Sequence, residues 1–201
     1  MVITVGGYIF TPEDLLRYGT VTREQLEILN RALLEGKDIL IAGTSRAGKT
    51  KFVEALIHLV PADRKIAVIT AYNEFKQFRE NTVVINTEFG QDSLKSRTER
   101  VMEKIRRLNP DYVVIDTIHT VHVPTILSRL LDDYTFIVTS LAMSKDIIDE
   151  VRHWLRADDD VIAKFDVVVE LKRDFRTNTR RVNRIYAVKA EDGKIKLEDI
   201  A

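Results

Sequence analysis

The sequence predicts an α/β domain with a largely parallel sheet, helices on both faces and antiparallel strands at the C-terminus. Two observations predict the parallel part. Short apolar runs recur at 38–42, 66–69, 82–85, 112–115 and 135–138, as strands buried on both faces do. Helical stretches separate several of them, most clearly 93–108, and strands alternating with helices build a covered parallel sheet. A third observation concerns the tail. The runs 165–171, 180–189 and 194–197 are joined by turns at Arg176-Thr177-Asn178-Thr179 and Glu191-Asp192-Gly193, which suits an antiparallel edge.

The segment before the first buried run, 1–36, reads as a lead-in. Residues 2–10 form a short strand pattern broken by Gly6-Gly7. Thr11-Pro12-Glu13-Asp14 then has the marks of a helix start, with a Thr cap, Pro at the first helical position and acids in the first turn. A second start lies at Thr22, followed by Glu24 and Gln25. Leu26, Leu29, Leu33 and Leu34 make its apolar stripe, and Gly36 closes it. After the 38–42 strand, Phe52, Val53, Leu56, Ile57 and Val60 predict a helix stopped by Pro61.

Composition narrows the function classes. The chain has 201 residues, enough for one domain over 1–201, and 45% of them are hydrophobic, enough for a core. Lys plus Arg equals Asp plus Glu at 31 each, so global charge argues for neither nucleic acid nor a membrane surface. Cysteine is absent, which excludes disulfides and thiolate chemistry. The histidines lack zinc-ligand spacing; His119 and His122 beside Asp116 come nearest. No apolar run approaches the roughly 20 residues of a membrane span, and the N-terminus lacks a signal-peptide pattern. A cytoplasmic protein is expected.

The chemistry concentrates at Gly43-Thr44-Ser45-Arg46-Ala47-Gly48-Lys49-Thr50, a complete G-x-x-x-x-G-K-[ST] phosphate loop between an apolar strand and an amphipathic helix. Polyphosphate has to be gripped by backbone N–H groups, and glycine lets the backbone curl that closely. The following helix points its positive end at the anion. Lys49 supplies a cation for the β and γ phosphates and Thr50 a hydroxyl for Mg²⁺; Lys51 continues the binding stretch. ATP with Mg²⁺ is the expected cofactor.

Tyr112-Val113-Val114-Ile115-Asp116 offers the carboxylate expected at the end of a neighbouring strand, on the magnesium side. The alternative is an Asp that caps the next segment, and with the phosphate loop upstream the magnesium-side role is favoured. Hydrolysis needs a further group to orient water. Thr117 cannot act as a base near neutral pH. Glu74, just beyond the 66–69 strand, is the best candidate, provided that strand lies next to the phosphate strand, and an ordinary surface acid is the alternative. Glu88 is a weaker one.

These motifs resemble, over nearly the whole chain, the motor domain of secretion-superfamily ATPases, the engines of type II and type IV secretion, pilus assembly and archaeal flagella. Thr11-Pro-Glu-Asp-Leu-Leu-Arg-Tyr-Gly-Thr-Val-Thr is similar to the family's lead-in "T-L-E-D-L…G-T-L-T". Asn109-Pro-Asp-Tyr-Val-Val-Ile-Asp116 is similar to "R-P-D-R-I-I-V-G-E". Phe165-Asp-Val-Val-Val-Glu-Leu, Arg180-Arg-Val and Glu191-Asp-Gly-Lys-Ile follow its closing strands. The resemblance implies a RecA-like P-loop NTPase core. It also implies a ring, with a hexamer favoured, that moves DNA or protein at a membrane complex.

The departures sit at the catalytic motifs. Where the family has "G-E", this chain has Asp116-Thr117, a pairing similar to the RecA-like pattern in which a Glu beyond another strand is the base. The acidic box reads Val68-Ile-Thr-Ala-Tyr-Asn-Glu74 and keeps only its last Glu. The histidine box reads Thr139-Ser-Leu-Ala-Met-Ser144, without His. The arginine pair falls on 84–88, without Arg, and the family's large N-terminal domain is expected to be missing. Slow hydrolysis and a non-hydrolysing assembly or regulatory subunit both fit. Lys172, Arg173, Arg176, Arg180, Arg181 and Arg184 form the local basic cluster, read as solvated strand charges, phosphate contacts to DNA or fingers to a neighbouring subunit's nucleotide. Arg97, Arg100, Arg106 and Arg107 are weighed the same way. Trp154 and Leu155 read as core or interface in a helix opened by Ser144.

Overall fold

The computed structural model describes residues 8–71, 75, 79–87, 94–116, 122–144, 146–191 and 194–201. Two helices come first, α1 (Pro12–Arg17) and α2 (Arg23–Leu34). Each opens with a reciprocal capping box. The Thr11 hydroxyl accepts from Asp14 N at 3.3 Å while Asp14 accepts from Thr11 N at 3.0 Å. Thr22 and Gln25 repeat this at 3.1 Å in both directions. Two orphan N–H groups are thereby satisfied at each helix start. Gly36, at φ 68°, follows α2 in the left-handed region that ends helices.

The expected strand over 2–10 is not formed in its described part. Residues 8–10 have no regular structure, and 1–7 lie outside the described residues. Local contacts hold 8–10 instead. The Tyr8 hydroxyl donates to Asp14 at 2.7 Å, and the rings of Tyr8, Phe10 and Tyr18 pack in sequence at 5.4 and 5.9 Å.

The sheet comprises β1 (Ile39–Gly43), β2 (Ile66–Thr70), β3 (Thr82–Asn86), β4 (Tyr112–Asp116), β5 (Thr135–Leu141), β6 (Val167–Arg173), β7 (Arg180–Glu191) and β8 (Lys194–Asp199). Their order is β3-β2-β4-β5-β1-β6-β7-β8. The first six are mutually parallel, and the β6–β7 and β7–β8 pairings are antiparallel. The tail therefore departs from the sequence expectation in one respect, since β6 joins the parallel sheet beside β1 before the antiparallel edge begins.

The neighbours of β1 also differ from expectation. They are β5 and β6, so both β4 and β2 are displaced from it. Such an order follows from crossover connections, which apolar runs do not encode.

Alternate residues of the central strands feed two cores. Leu40, Ala42, Ala67, Ile69, Val113, Ile115, Phe136 and Val138 face α4 (Leu94–Leu108), α5 (Val123–Leu130) and α6 (Ile147–Leu155). Ile39, Ile41, Ile66, Val68, Val114 and Ile137 face α1, α2 and α3 (Lys49–Ile57). Each fully buried aliphatic side chain stabilises by roughly 2 kcal/mol relative to exposure, which makes this double layer the main source of stability.

Two helix boundaries differ from the sequence reading. α3 ends at Ile57 rather than at Pro61, because the Arg79 guanidinium takes the carbonyls of Ile57, Val60 and Pro61 at 2.6, 2.9 and 3.2 Å. α6 is capped by Asp146, which accepts from Asp149 N at 3.0 Å, and not by Ser144. A short helix, α7 (Asp159–Ile162), precedes β6.

Candidate functional site

β1 ends at Gly43, and the chain must turn there in little space. A Cβ on Gly43 would stand 2.5 Å from the Leu171 carbonyl oxygen of β6. The residues that follow make a tight turn, with Ala47 N donating to Thr44 O at 3.2 Å. Its third residue, Arg46, has φ 60°, a value that favours Gly or Asn in turns. The chain enters α3 through Gly48 at φ 90°, and no side chain caps the N–H groups of the first turn. Those donors and the helix dipole make a place for an anion. The Thr44 hydroxyl oxygen is buried with no hydrogen-bond partner among the described residues.

Lys49 is folded back on this loop. Its ammonium donates to the carbonyls of Gly43 and Thr44, both at 2.9 Å. Burial brings its pKa down to about 8, and the Asp116 carboxylate opposes that fall by favouring the charged form. Asp116 ends β4 and is buried, with its Oδ1 accepting from the Thr139 hydroxyl at 2.9 Å. Thr139 lies on β5, the strand between β4 and β1. The cation of the loop and the carboxylate therefore meet electrostatically across one intervening strand, whose hydroxyl holds the carboxylate in place.

A cleft of about 1240 Å³ opens along these groups. Residues 45–51 form one wall and 139–141 another; Phe10, Leu15 and Tyr18 add an apolar side, and Arg173 and Arg180 a basic one. Lys51 has a different task from the rest of the loop. Its ammonium pairs with the fully buried Glu54 at 2.7 Å and donates to Tyr8 O at 3.3 Å. Burial pushes the Glu54 carboxyl up, and Lys51 opposes the rise. The pair fastens the 8–10 segment to α3.

Most of the sequence-predicted residues therefore come together: 43–51 and Asp116 share the cleft's neighbourhood. Glu74 and Glu88 lie outside the described residues, as do Thr117 and His119. β2, which precedes Glu74, lies beside β4 and not beside β1. His122 is buried with its Nδ1 at 2.6 Å from the Thr98 hydroxyl, and no group of three or more potential metal ligands occurs among the described residues.

The basic cluster is divided among separate partners. Lys172 pairs with Glu170 at 2.9 Å, Arg173 donates to the Asn178 side chain at 2.7 Å, and Arg184 pairs with Asp199. Arg180 turns to the phosphate loop of its own chain, donating through Nε to Arg46 O at 3.1 Å. Trp154 lines the cleft and donates to Glu150 at 2.9 Å, while Leu155 is core. Sequence reasoning missed Thr139 as the partner of Asp116 and Arg180 as a neighbour of the loop. A hydroxyl at the end of a buried strand was the available signal for the first. Nothing marked the second, because 134 residues separate Arg180 from Arg46.

A family model described as uncharacterised conserved protein UCP018868 matches residues 5–200. The uncharacterized protein MJ1287 of Methanocaldococcus jannaschii is 28% identical over 106 residues, 52% of this chain and 39% of that protein. A type IV secretion system protein VirB11 of Bartonella henselae is 27% identical over 182 residues, 80% of this chain and 49% of that protein. Among solved structures, the VirB11 ATPase of the Brucella suis type IV secretion system, in complex with sulphate, matches with a TM-score of 0.65 at 15% identity, covering 92% of this chain and 60% of that one. The chain thus spans half or less of the length of these curated relatives. It resembles the secretion ATPases, and it shares their α/β fold.

Proposed function

Given that the chain belongs to the family described as uncharacterised conserved protein UCP018868, we propose that it binds Mg²⁺-ATP at residues 43–51 and works as a motor subunit of the secretion-ATPase type. The observation that carries this reading is the arrangement at the loop. An uncapped helix start, a lysine held on the carbonyls of Gly43 and Thr44, and the Asp116 carboxylate line one strand edge. The donors suit the cofactor, since Thr50 and Asp116 are hard oxygen ligands of the kind Mg²⁺ prefers. Mg²⁺ there would neutralise charge building up on the phosphates.

The chain's own residues have distinct parts. The N–H groups of α3's first turn cradle the phosphates, and Lys49 leaves its loop carbonyls to meet them. Thr139 keeps the Asp116 carboxylate oriented. On this reading Glu74 positions the attacking water, reaching the site from beyond β2, which lies beside β4 rather than beside the phosphate strand. Subunits assemble as a ring, with a hexamer favoured, and the work done is transport or assembly of DNA or protein at a membrane complex. The subunit works in the cytoplasm, peripheral to that machine; no helix among the described residues is long and apolar enough to cross a membrane.

A second reading is favoured by one feature, the absence of a Glu directly after Asp116. On it the chain binds ATP without turnover and serves as an assembly or regulatory subunit. Steady-state hydrolysis over a wide protein concentration range separates the two. The motor reading expects turnover that rises faster than linearly and is lost in Glu74→Gln. Tight binding without turnover at any concentration would establish the second reading instead.

A further inference from the structure

Arg180 is the first residue of β7, on the antiparallel arm, yet it reaches across to the phosphate loop. Its Nε donates to the Arg46 carbonyl at 3.1 Å and its Nη1 to the Asn178 carbonyl at 3.3 Å. The stem lies over Gly48, close enough that a Cβ there would stand 2.9 Å from Arg180 Cδ. The guanidinium thus grips the carbonyl of the one non-glycine residue in the loop with positive φ, Arg46 at 60°. A non-glycine residue in that conformation is strained and persists only where its surroundings hold it.

We infer that Arg180 is a positioning residue for the phosphate loop, acting within its own chain. The hydrogen bond fixes the peptide that follows Arg46, and the stem covers Gly48 at the entry to α3. The C-terminal hairpin therefore sets how well the loop fits an anion. Its neighbour Asn178, also at positive φ (57°), is itself tied to Arg173 at 2.7 Å, so the turn that carries Arg180 is braced from both sides. Arg180 borders the cleft, but its Nε is taken up by a backbone carbonyl of the loop, which commits it to the loop rather than to a ligand phosphate.

This inference rests on the nucleotide-binding reading, and the test keeps the two apart. ATP and ADP affinities are measured for wild type, Arg180→Ala, Arg180→Lys and Lys49→Ala, with nucleotide-free melting alongside. The expected result is a loss of roughly ten-fold in Arg180→Ala, the scale of a charged hydrogen bond, equal for ATP and ADP. Arg180→Lys should recover part of it by keeping a cationic donor and the stem. Amide hydrogen exchange over 44–48 should quicken in Arg180→Ala, while the melting temperature stays within about 2 °C of wild type. A loss for ATP with ADP unchanged would overturn positioning in favour of direct contact with the terminal phosphate. Unchanged affinity in Arg180→Ala, with Lys49→Ala defective, would also overturn it. Failure of wild type to bind either nucleotide would remove the underlying reading, and this inference with it.

Discussion

The parallel and antiparallel parts of the sheet do different work. In β1, β2 and β4 every residue is buried, and helices cover both faces. In β7 and β8 buried positions are sparse, and β8 has none. The parallel strands point their carboxyl ends at the site and deliver the loop and Asp116 on rigid supports. The antiparallel arm contributes little burial, and its Arg180 side chain presses on the loop. The geometry of the loop and Asp116 is set by the buried layer and adjusted by the solvated one.

That contrast predicts a ranking of effects. Ile41→Ala, in the middle of β1, should cost the most, about 3–4 kcal/mol of unfolding free energy by chemical denaturation, because a cavity opens where nothing can collapse. Gly43→Ala should follow, at about 2–3 kcal/mol, since its Cβ has to displace the Leu171 backbone rather than a flexible side chain. Leu197→Ala on β8 should cost less than about 1 kcal/mol, its side chain being only partly buried against the core. An equal loss for Ile41→Ala and Leu197→Ala would break the comparison.

The comparison also carries a pH dependence, with opposite signs at Asp38 and Lys49. Asp38, just before β1, has a pKa raised to about 7 by burial, against the Phe136 N–H that favours its charge. The folded state holds that proton where the unfolded chain has lost it, so stability falls as pH rises from about 4 to 7. Lys49 is depressed to about 8, so the unfolded chain holds more protons between about 8 and 10.5, and stability rises across that window. Denaturation midpoints against pH should lose the acid-side slope in Asp38→Asn and the alkaline-side slope in Lys49→Met.

Much of this was legible in the sequence, and the exceptions share a cause. β1, the loop, α3 and Asp116 could be read because a buried strand, a glycine motif and a helix stripe are local patterns. The displacement of β2 and β4 from β1 could not, since strand order depends on crossovers that leave no mark in the runs themselves. α5 escaped notice because its eight residues, with a proline in the first turn and three β-branched side chains, show little helical preference. The Thr139–Asp116 and Arg180–Arg46 contacts span 23 and 134 residues; a hydroxyl on a buried strand was the one hint of the first, and nothing in the chain marks the second. The loop motif assigns no role to Arg46; its positive φ and the bond from Arg180 to its carbonyl give it a structural place.

The central claim is that residues 43–50 bind a nucleotide triphosphate, and calorimetric titration of ATP with Mg²⁺ into wild type and Lys49→Ala tests it most directly. The account predicts saturable binding, one nucleotide per chain, weakened at least about 100-fold when Lys49 is removed, as losing a buried charged partner implies. Binding of equal strength in both proteins, or none in wild type, would contradict it.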